Sequence, residues 1–548
     1  MAALTAESWW RRELTGRKLF FWIFWWGVHW GLFAYGWYSQ YTNERLAALN
    51  GLRYSVWISR GAGLVLAFDG GLILLPMCRN VVRVLRPKIT FLPLDESQWL
   101  HRQTAYSMLL FTIIHTCAHY VNFFNVEKTQ VRPVTALNIH YAQAGGVTGH
   151  VMLLCMVLMF TTAHKNIRHQ CFEAFWYTHH LFIIFMIGLY THATGCFVRD
   201  SVDPYSPFAG KPFWNHCIGY QGWRFTIWAG GLYMAERLWR EYRSRRQTEI
   251  TKVVRHPYNA MEIQFKKPSM TYKSGQWLFL QVPAVSAFQW HPFTITSCPS
   301  DPYISVHIRQ VGDFTKQLAE ILGVTDDGKY AHLDPMGVYE VAVQNGSRMP
   351  ALKIDGPYGA PAEDVFNNEI AVLVGTGIGV TPWASILKNI WHKRNNPGKT
   401  PMRLRRVEFI WVCRDMSSFE WFQNLLKSLE RQQNGIDGDF LRIHTYLTQK
   451  LDMDTAQNIV LNSVGTEVDP LTQLRTGTQF GRPDFPKIFT AIREGINNRT
   501  YLGGLDGTLR TNVGVYFCGP SVAARDIKRA CKRVTTAEVE FSFWKEHF

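Results

Sequence analysis

Apolar residues are distributed unevenly along this chain. Residues 1–245 hold six apolar runs, at about 18–38, 55–78, 99–122, 147–164, 175–196 and 222–240. Each is close to the roughly 20 residues that cross a bilayer as a helix. From Glu249 the pattern shortens to alternating strands: Ile250–Val254, Ala260–Phe265, Trp277–Val282 and Ser305–Ile308. These predict a small antiparallel β-barrel. Near Glu369 the pattern changes again, to apolar strands followed by helical stretches; Ala371–Val374, Phe409–Cys413 and Val513–Cys518 are such strands. That alternation predicts a parallel α/β sheet with a nucleotide at its strand ends. Three domains are expected: a six-helix transmembrane bundle over 1–245, a barrel over 246–360 and an α/β domain over 361–548.

Charge adds an orientation to this picture. The mean hydropathy of −0.10 averages two unlike halves. Alternate loops between the apolar runs carry fifteen Lys and Arg residues, among them Arg11, Arg12, Arg79, Arg83, Arg86, Lys88, Arg237 and Arg240. The opposite loops carry six. Cationic loops stay in the cytosol, so both termini are expected there. The N-terminus shows a signal-anchor pattern rather than a cleavable one. The net charge of +16 then reflects topology and anionic membrane lipid. No nucleic-acid motif accompanies it. Among ten cysteines no zinc-type pairing occurs; Cys196 and Cys217 share an outer loop, where a disulfide is expected.

Four histidines in the apolar half carry candidate chemistry. His101 and His115 are fourteen residues apart on the third run, and His179 and His192 thirteen apart on the fifth. On helices these separations are about 21 Å and about 20 Å. Two helices with imidazoles at two matching depths can hold two haems as axial ligands. Ionisable groups inside a membrane are costly and call for a functional reason. Fourteen residues return to nearly the same helix face, whereas thirteen do not. The fifth run therefore needs a local distortion such as a π-bulge, or His180 in place of His179.

The cytosolic half supplies nucleotide and flavin motifs. Gly375-Thr376-Gly377-Ile378-Gly379-Val380-Thr381-Pro382 directly follows a strand. Glycines there let a pyrophosphate approach backbone and helix N-terminus. Cys518-Gly519-Pro520 closes a later strand of the same sheet. His291-Pro292-Phe293-Thr294, and His307 with Arg309 on the next strand, suit a flavin and its pyrophosphate. Arg414 and Arg482 are candidates for a 2′-phosphate, which guanidinium forks recognise. The terminal Phe548 can stack on a flavin face and be displaced by nicotinamide.

These motifs together resemble the catalytic subunits of NADPH oxidases, nearest the phagocyte type and its fungal relatives. The likeness rests on Phe175-Trp176-Tyr177-Thr178-His179-His180-Leu181-Phe182 with His192, and on Ile114-His115-Thr116-Cys117-Ala118-His119. It rests also on His291–Thr294, Asp355-Gly356-Pro357-Tyr358-Gly359, the Gly375–Pro382 loop, Trp411–Asp415 and Phe548. The resemblance implies a six-helix haem domain joined to a ferredoxin-NADP reductase-like module. It implies FAD, NADPH and two haem b groups, with His101 paired to His179 and His115 to His192. It implies that Arg60 and His119 line the site where O2 becomes superoxide. A cytosolic activator protein, a Rac-type GTPase and a small membrane partner subunit follow from the same resemblance. A transmembrane ferric-chelate reductase is the main alternative, and a histidine-lined proton channel or haem carrier a more distant one.

Overall fold

The computed structural model describes all residues other than 1–16, 45–46, 87, 90–91, 93, 130–134, 193–222, 257–258, 326–338, 342–348, 397–401, 415–418, 433–439, 450–456, 458–467, 502–509 and 547–548. The chain divides into two compact units, Met1–Leu238 and Trp239–Phe548.

The first unit is helical. Its long helices are α1 (Arg17–Tyr41), α2 (Tyr54–Leu72), α3 (Ser97–Thr129), α4 (Ala144–Ala163), the consecutive pair α5 (Phe172–His179) and α6 (Phe182–Thr191), and α7 (Trp223–Ser244), which runs on into the second unit. Among the described residues, four stretches are long and apolar enough to cross a membrane: Tyr54–Met77, Ser97–Thr129, Ala144–Ala163 and Phe172–Thr191. Much of the apolar content of α1 comes from Trp and Tyr, and the second half of α7 carries Glu236, Arg237, Arg240, Glu241 and Arg243. Phe20, Ile23 and Phe24 on α1 and Leu154 and Val157 on α4 are exposed, as side chains facing lipid would be. Helices α1 and α2 cross closely because both contribute glycine. A Cβ on Gly61 would lie 2.6 Å from the Phe33 carbonyl oxygen. Small residues let membrane helices approach in this way.

The distortion expected in the fifth run lies between α5 and α6, and it is a tightening rather than a π-bulge. His180 N–H donates to Tyr177 O (3.2 Å), Leu181 N–H to Thr178 O (3.0 Å) and Ile183 N–H to His180 O (3.1 Å). These are three-residue bonds, which add about 20° of rotation per residue over an α-helix.

The second unit contains two antiparallel sheets and one parallel sheet. Strands β1 (Glu249–His256), β2 (Ala260–Lys266), β5 (Ile304–Arg309) and β6 (Tyr339–Val341) form a sheet ordered β5-β2-β1-β6. Strands β3 (Trp277–Gln281), β4 (His291–Thr294) and β7 (Lys353–Tyr358) form another, ordered β4-β3-β7. A bridge between Ile295 and Val306 links the two. Alternate residues such as Met261, Ile263 and Phe265 fill the space between them, together with Phe314 and Leu318 of α8 (Asp313–Ile321).

The parallel sheet comprises β8 (Ile370–Thr376), β9 (Arg406–Cys413), β10 (Leu441–Leu447), β11 (Gln479–Phe480), β12 (Thr511–Cys518) and β13 (Val539–Lys545). Its order is β11-β10-β9-β8-β12-β13. Helices α9 (Thr381–Asn395), α10 (Glu420–Gln432), α11 (Phe485–Asn497) and α12 (Ser521–Val534) alternate with the strands. Ala371 and Leu373 of β8 enter one core and Val372 and Val374 the other. Burial on both faces explains the unbroken apolar run. The chain steps outward from β8 through β11 and then returns to β12, so strand order reverses between β8 and β12. Open α/β sheets bind ligands at such a reversal, outside the carboxyl ends of the strands.

Candidate functional site

In the helical unit the four histidines form two cross-helix pairs. The ring centres of His101 on α3 and His179 on α5 are 6.2 Å apart. Those of His115 on α3 and His192, just after α6, are 6.1 Å apart. The tight turn after α5 thus leaves His179 facing α3. His180 is exposed, and its Nδ1 bonds to Trp176 O of its own helix (2.7 Å).

The backbone also orients these rings. His101 Nδ1–H donates to Ile73 O (2.8 Å), and His115 Nδ1–H to Ser59 O (2.9 Å). His192 Nδ1–H meets the Thr148 hydroxyl (2.9 Å), which itself donates to Ala144 O. A ring that donates through Nδ1 keeps its lone pair on Nε2, and metal-binding histidines are oriented by partners of this kind. Two metal–nitrogen bonds of about 2 Å, plus roughly 1 Å from each nitrogen to its ring centre, span about 6 Å. Both pairs have that separation, so the residues present fit a bis-imidazole metal at each level. His179 departs from the pattern: its Nδ1 is buried with no hydrogen-bond partner among the described residues.

A cavity of about 720 Å³ adjoins the second pair, lined by His115, His192, Arg60, His119, Gly63 and Gly149 among others. Glycine leaves room beside the rings. A Cβ on Gly149 would stand 3.2 Å from His192 Cε1, and one on Gly63 3.4 Å from His115 Cε1. The His119 ring lies 4.4 Å from that of His115, and its Nδ1 is buried without a hydrogen-bond partner among the described residues. Arg60 is half-buried on the same wall. The cavity thus combines a guanidinium with a donor-capable imidazole beside one histidine pair.

In the second unit the two glycine loops meet at the reversal of strand order. Gly375 pairs with Cys518 across β8 and β12. A Cβ on Gly379 would lie 2.5 Å from Cys518 O, and one on Gly519 2.0 Å from Thr376 Oγ1. Both positions need glycine for this close approach, and Gly377 has a positive φ of 53°. Trp411 on β9 donates to Gly377 O (3.2 Å), which anchors the loop. Thr381 and Pro382 begin α9, so the helix N-terminus follows the loop directly. Pro520 precedes α12 in the same way. Arg414 follows β9 and Arg482 follows β11, and both are exposed at the carboxyl ends of their strands.

The barrel residues gather on neighbouring strands. His291 stacks on Phe314 at 3.9 Å between ring centres. Pro292 is exposed, Phe293 partly buried and Thr294 buried on β4. Arg309 is exposed at the end of β5. His307 shares its strand face, but its ring bonds to Thr296 (2.8 Å) and points toward Glu262. Phe548, Cys196 and Cys217 lie outside the described residues.

Polar groupings that escaped the sequence reading include the following. Within the helices, His29 Nε2 lies 2.9 Å from Asp69 Oδ1, and Ser107 donates to Asp69 Oδ2 at 2.7 Å; all three are buried. In the second unit Asp355 accepts from Arg240 Nε (2.6 Å), Arg243 Nη2 (2.8 Å) and Tyr358 Oη (2.6 Å). Burial pushes the Asp355 carboxyl up, but the Arg240 charge and the donors around it outweigh this and hold it below its usual value. The one local signal was that Asp355 begins the Asp-Gly-Pro motif at the end of the barrel. Nothing local marked its arginine partners more than a hundred residues earlier.

Comparison with known proteins agrees with this anatomy. Three family descriptions match in order: a ferric reductase like transmembrane component over residues 62–190, an FAD-binding domain over 245–362 and a ferric reductase NAD binding domain over 368–532. Together they define a membrane-integral flavoprotein reductase with a nicotinamide nucleotide domain. NADPH oxidase 1 of Mus musculus is 32% identical over 97% of this chain and 94% of its own length. A superoxide-generating NADPH oxidase heavy chain of Dictyostelium discoideum is 35% identical over 90% of this chain and 90% of its own. NADPH oxidase 3 of Homo sapiens is 32% identical over 96% of this chain and 97% of its own. This chain belongs to the NADPH oxidase family. Among solved structures, a ferredoxin NADP+ reductase from Neisseria gonorrhoeae aligns with 54% of this chain and 98% of its own, at 13% identity and a TM-score of 0.32.

Proposed function

We propose that this chain is a superoxide-generating NADPH oxidase that carries electrons from cytosolic NADPH across the membrane to O2. The bound groups would be FAD and two haem b, supplying a one-electron relay from a hydride donor to dioxygen. The observation that carries this reading is the pair of imidazole couples at 6.2 and 6.1 Å on the same two helical runs. His101 and His179 would hold the haem nearer the cytosol, and His115 and His192 the outer one. Because His115 and His192 would both be engaged in holding the outer group, O2 would be received in the cavity beside them. Arg60 and His119 are suited to that site, because fixed positive charge and a hydrogen-bond donor stabilise an anion as it forms.

The remaining assignments concern binding. The Gly375, Gly377 and Gly379 loop with Thr381 and Pro382, facing Cys518, Gly519 and Pro520, would take the NADPH pyrophosphate. Arg414 and Arg482 would contact its 2′-phosphate. His291, Pro292, Phe293, Thr294 and Arg309 would hold FAD, and His307 would support that strand face. Phe548 would cover the flavin until nicotinamide displaces it. The charge bias of the loops supports cytosolic termini. The family supports, as partners, a cytosolic activator, a Rac-type GTPase and a small membrane subunit.

The test is NADPH-driven acceptor reduction by purified protein, with and without superoxide dismutase. Loss of the signal with dismutase is expected. A dismutase-insensitive signal that requires ferric chelate would overturn the oxidase in favour of the reductase.

A further inference from the structure

Three ligand-type side chains converge on the sheet formed by β5, β2 and β1. Glu262 on β2 lies directly opposite His307 on β5, and His256 ends the neighbouring strand β1. His256 Nε2 is 3.6 Å and His307 Nε2 3.9 Å from the same oxygen, Glu262 Oε2. These separations are too long for hydrogen bonds. They are close to the roughly 3.3–3.5 Å between donor atoms that sit 2.0–2.1 Å from a tetrahedral zinc.

The other atoms of two of the three side chains are already committed. His307 Nδ1 pairs with Thr296 Oγ1 (2.8 Å), which also meets Ser305 Oγ (2.8 Å). Glu262 Oε1 accepts from Gln264 Nε2 (3.1 Å). Each pairing directs the remaining donor atom, His307 Nε2 or Glu262 Oε2, into the cluster, as outer partners do for metal ligands. Both ring nitrogens of His256 are buried with no hydrogen-bond partner among the described residues. A buried polar ring left unsatisfied is costly, and an ion would relieve it. All three side chains are only 11–13% exposed.

We infer that His256, Glu262 and His307 form a binding site for a zinc-class divalent ion, with a fourth position open to water. Two imidazoles and one carboxylate select such an ion over magnesium or calcium, which prefer all-oxygen shells. The ion would tie together β1, β2 and β5. It would also sit beside α10, since Phe422 of that helix lies 6.5 Å from the His307 ring. A second grouping, Cys298, Asp301 and His392, also brings ligand atoms within 4.8 Å of one another. There Lys388 Nζ already occupies Asp301 Oδ2 at 2.8 Å, so a cation is in place.

The experiment uses full-length, haem- and flavin-loaded protein dialysed against zinc, with bound metal counted and its shell read at the zinc absorption edge. One zinc per chain is expected, with only nitrogen and oxygen neighbours near 2.0–2.1 Å. His256→Ala and the milder Glu262→Gln should each weaken binding tenfold or more with flavin retained, and Thr296→Val by about tenfold. His392→Ala should leave binding unchanged. Absence of stoichiometric zinc, a sulfur neighbour near 2.3 Å, or unaltered affinity in Glu262→Gln would each overturn the site.

Discussion

The helical unit and the nucleotide-binding sheet build their sites by opposite means. In the helices the site is a handful of side chains, three of them oriented by partners 28 to 56 residues away: Ile73 O for His101, Ser59 O for His115 and Thr148 for His192. In the sheet the site is mostly backbone: glycines at the ends of β8 and β12 whose missing side chains let two loops touch. A membrane supplies few polar groups, so each one placed there is expensive and its position informative. A soluble sheet has polar groups everywhere, so what distinguishes its binding edge is the absence of atoms. Side-chain deletion should therefore be most damaging in the helices, and side-chain addition most damaging at the sheet edge.

The largest effect is expected from deletion in the helices. His115→Ala or His192→Ala should remove one of two haems and abolish superoxide production. Pyridine haemochrome content of the purified variants reads this, and two haems retained in both would break the assignment. Next comes the polar anchor of the second unit. Asp355→Ala removes the carboxylate that the buried Arg240 and the partly buried Arg243 share and should cost about 3–5 kcal/mol of stability, read by denaturant unfolding. The same group has a pH signature. A carboxyl lowered on folding contributes fully above its unfolded value and is lost as pH falls through its folded value. Unfolding should thus become easier below about pH 4 in the parent chain, and Asp355→Ala should lose part of that dependence.

Addition of a methyl group tests the sheet edge. Gly379→Ala places a Cβ against Cys518 O and should cost about 1–3 kcal/mol of nucleotide binding, or roughly ten- to a hundredfold in NADPH KM, with haem content unchanged. An unaltered KM would show that the loop adapts and would weaken the contrast between the units. Arg482→Ala should raise the NADPH KM tenfold or more, from a lost charged contact of roughly 1.5–3 kcal/mol, and barely alter that for NADH. Equal effects on both nucleotides would remove the 2′-phosphate role. The smallest effect belongs to Phe548→Ser, where a lost aromatic stack of about 1 kcal/mol should change stopped-flow flavin reduction while haem content stays intact.

Much of this architecture is legible in the sequence. Apolar runs of membrane length, a period of two in the barrel strands and fully apolar strands in the sheet are local consequences of which faces are buried. They mark the six runs, the strands near Ile250, Trp277, Ala371 and Val513, and the two glycine loops. Helical periodicity also places His101 and His115 on one face of α3, because a fourteen-residue step nearly completes whole turns. What tertiary structure alone decided was which side chains meet. Periodicity leaves His179 and His180 open, and a tight turn brings the ring of the first opposite His101 while the second is exposed. The His29–Asp69 pair, the Arg240–Asp355 pair and the His256–Glu262–His307 cluster each join strands or helices whose local patterns give no sign of one another. Local sequence governs the period and burial of an element, but contacts between elements depend on how the chain closes in space, and that is set by the packing of the whole fold.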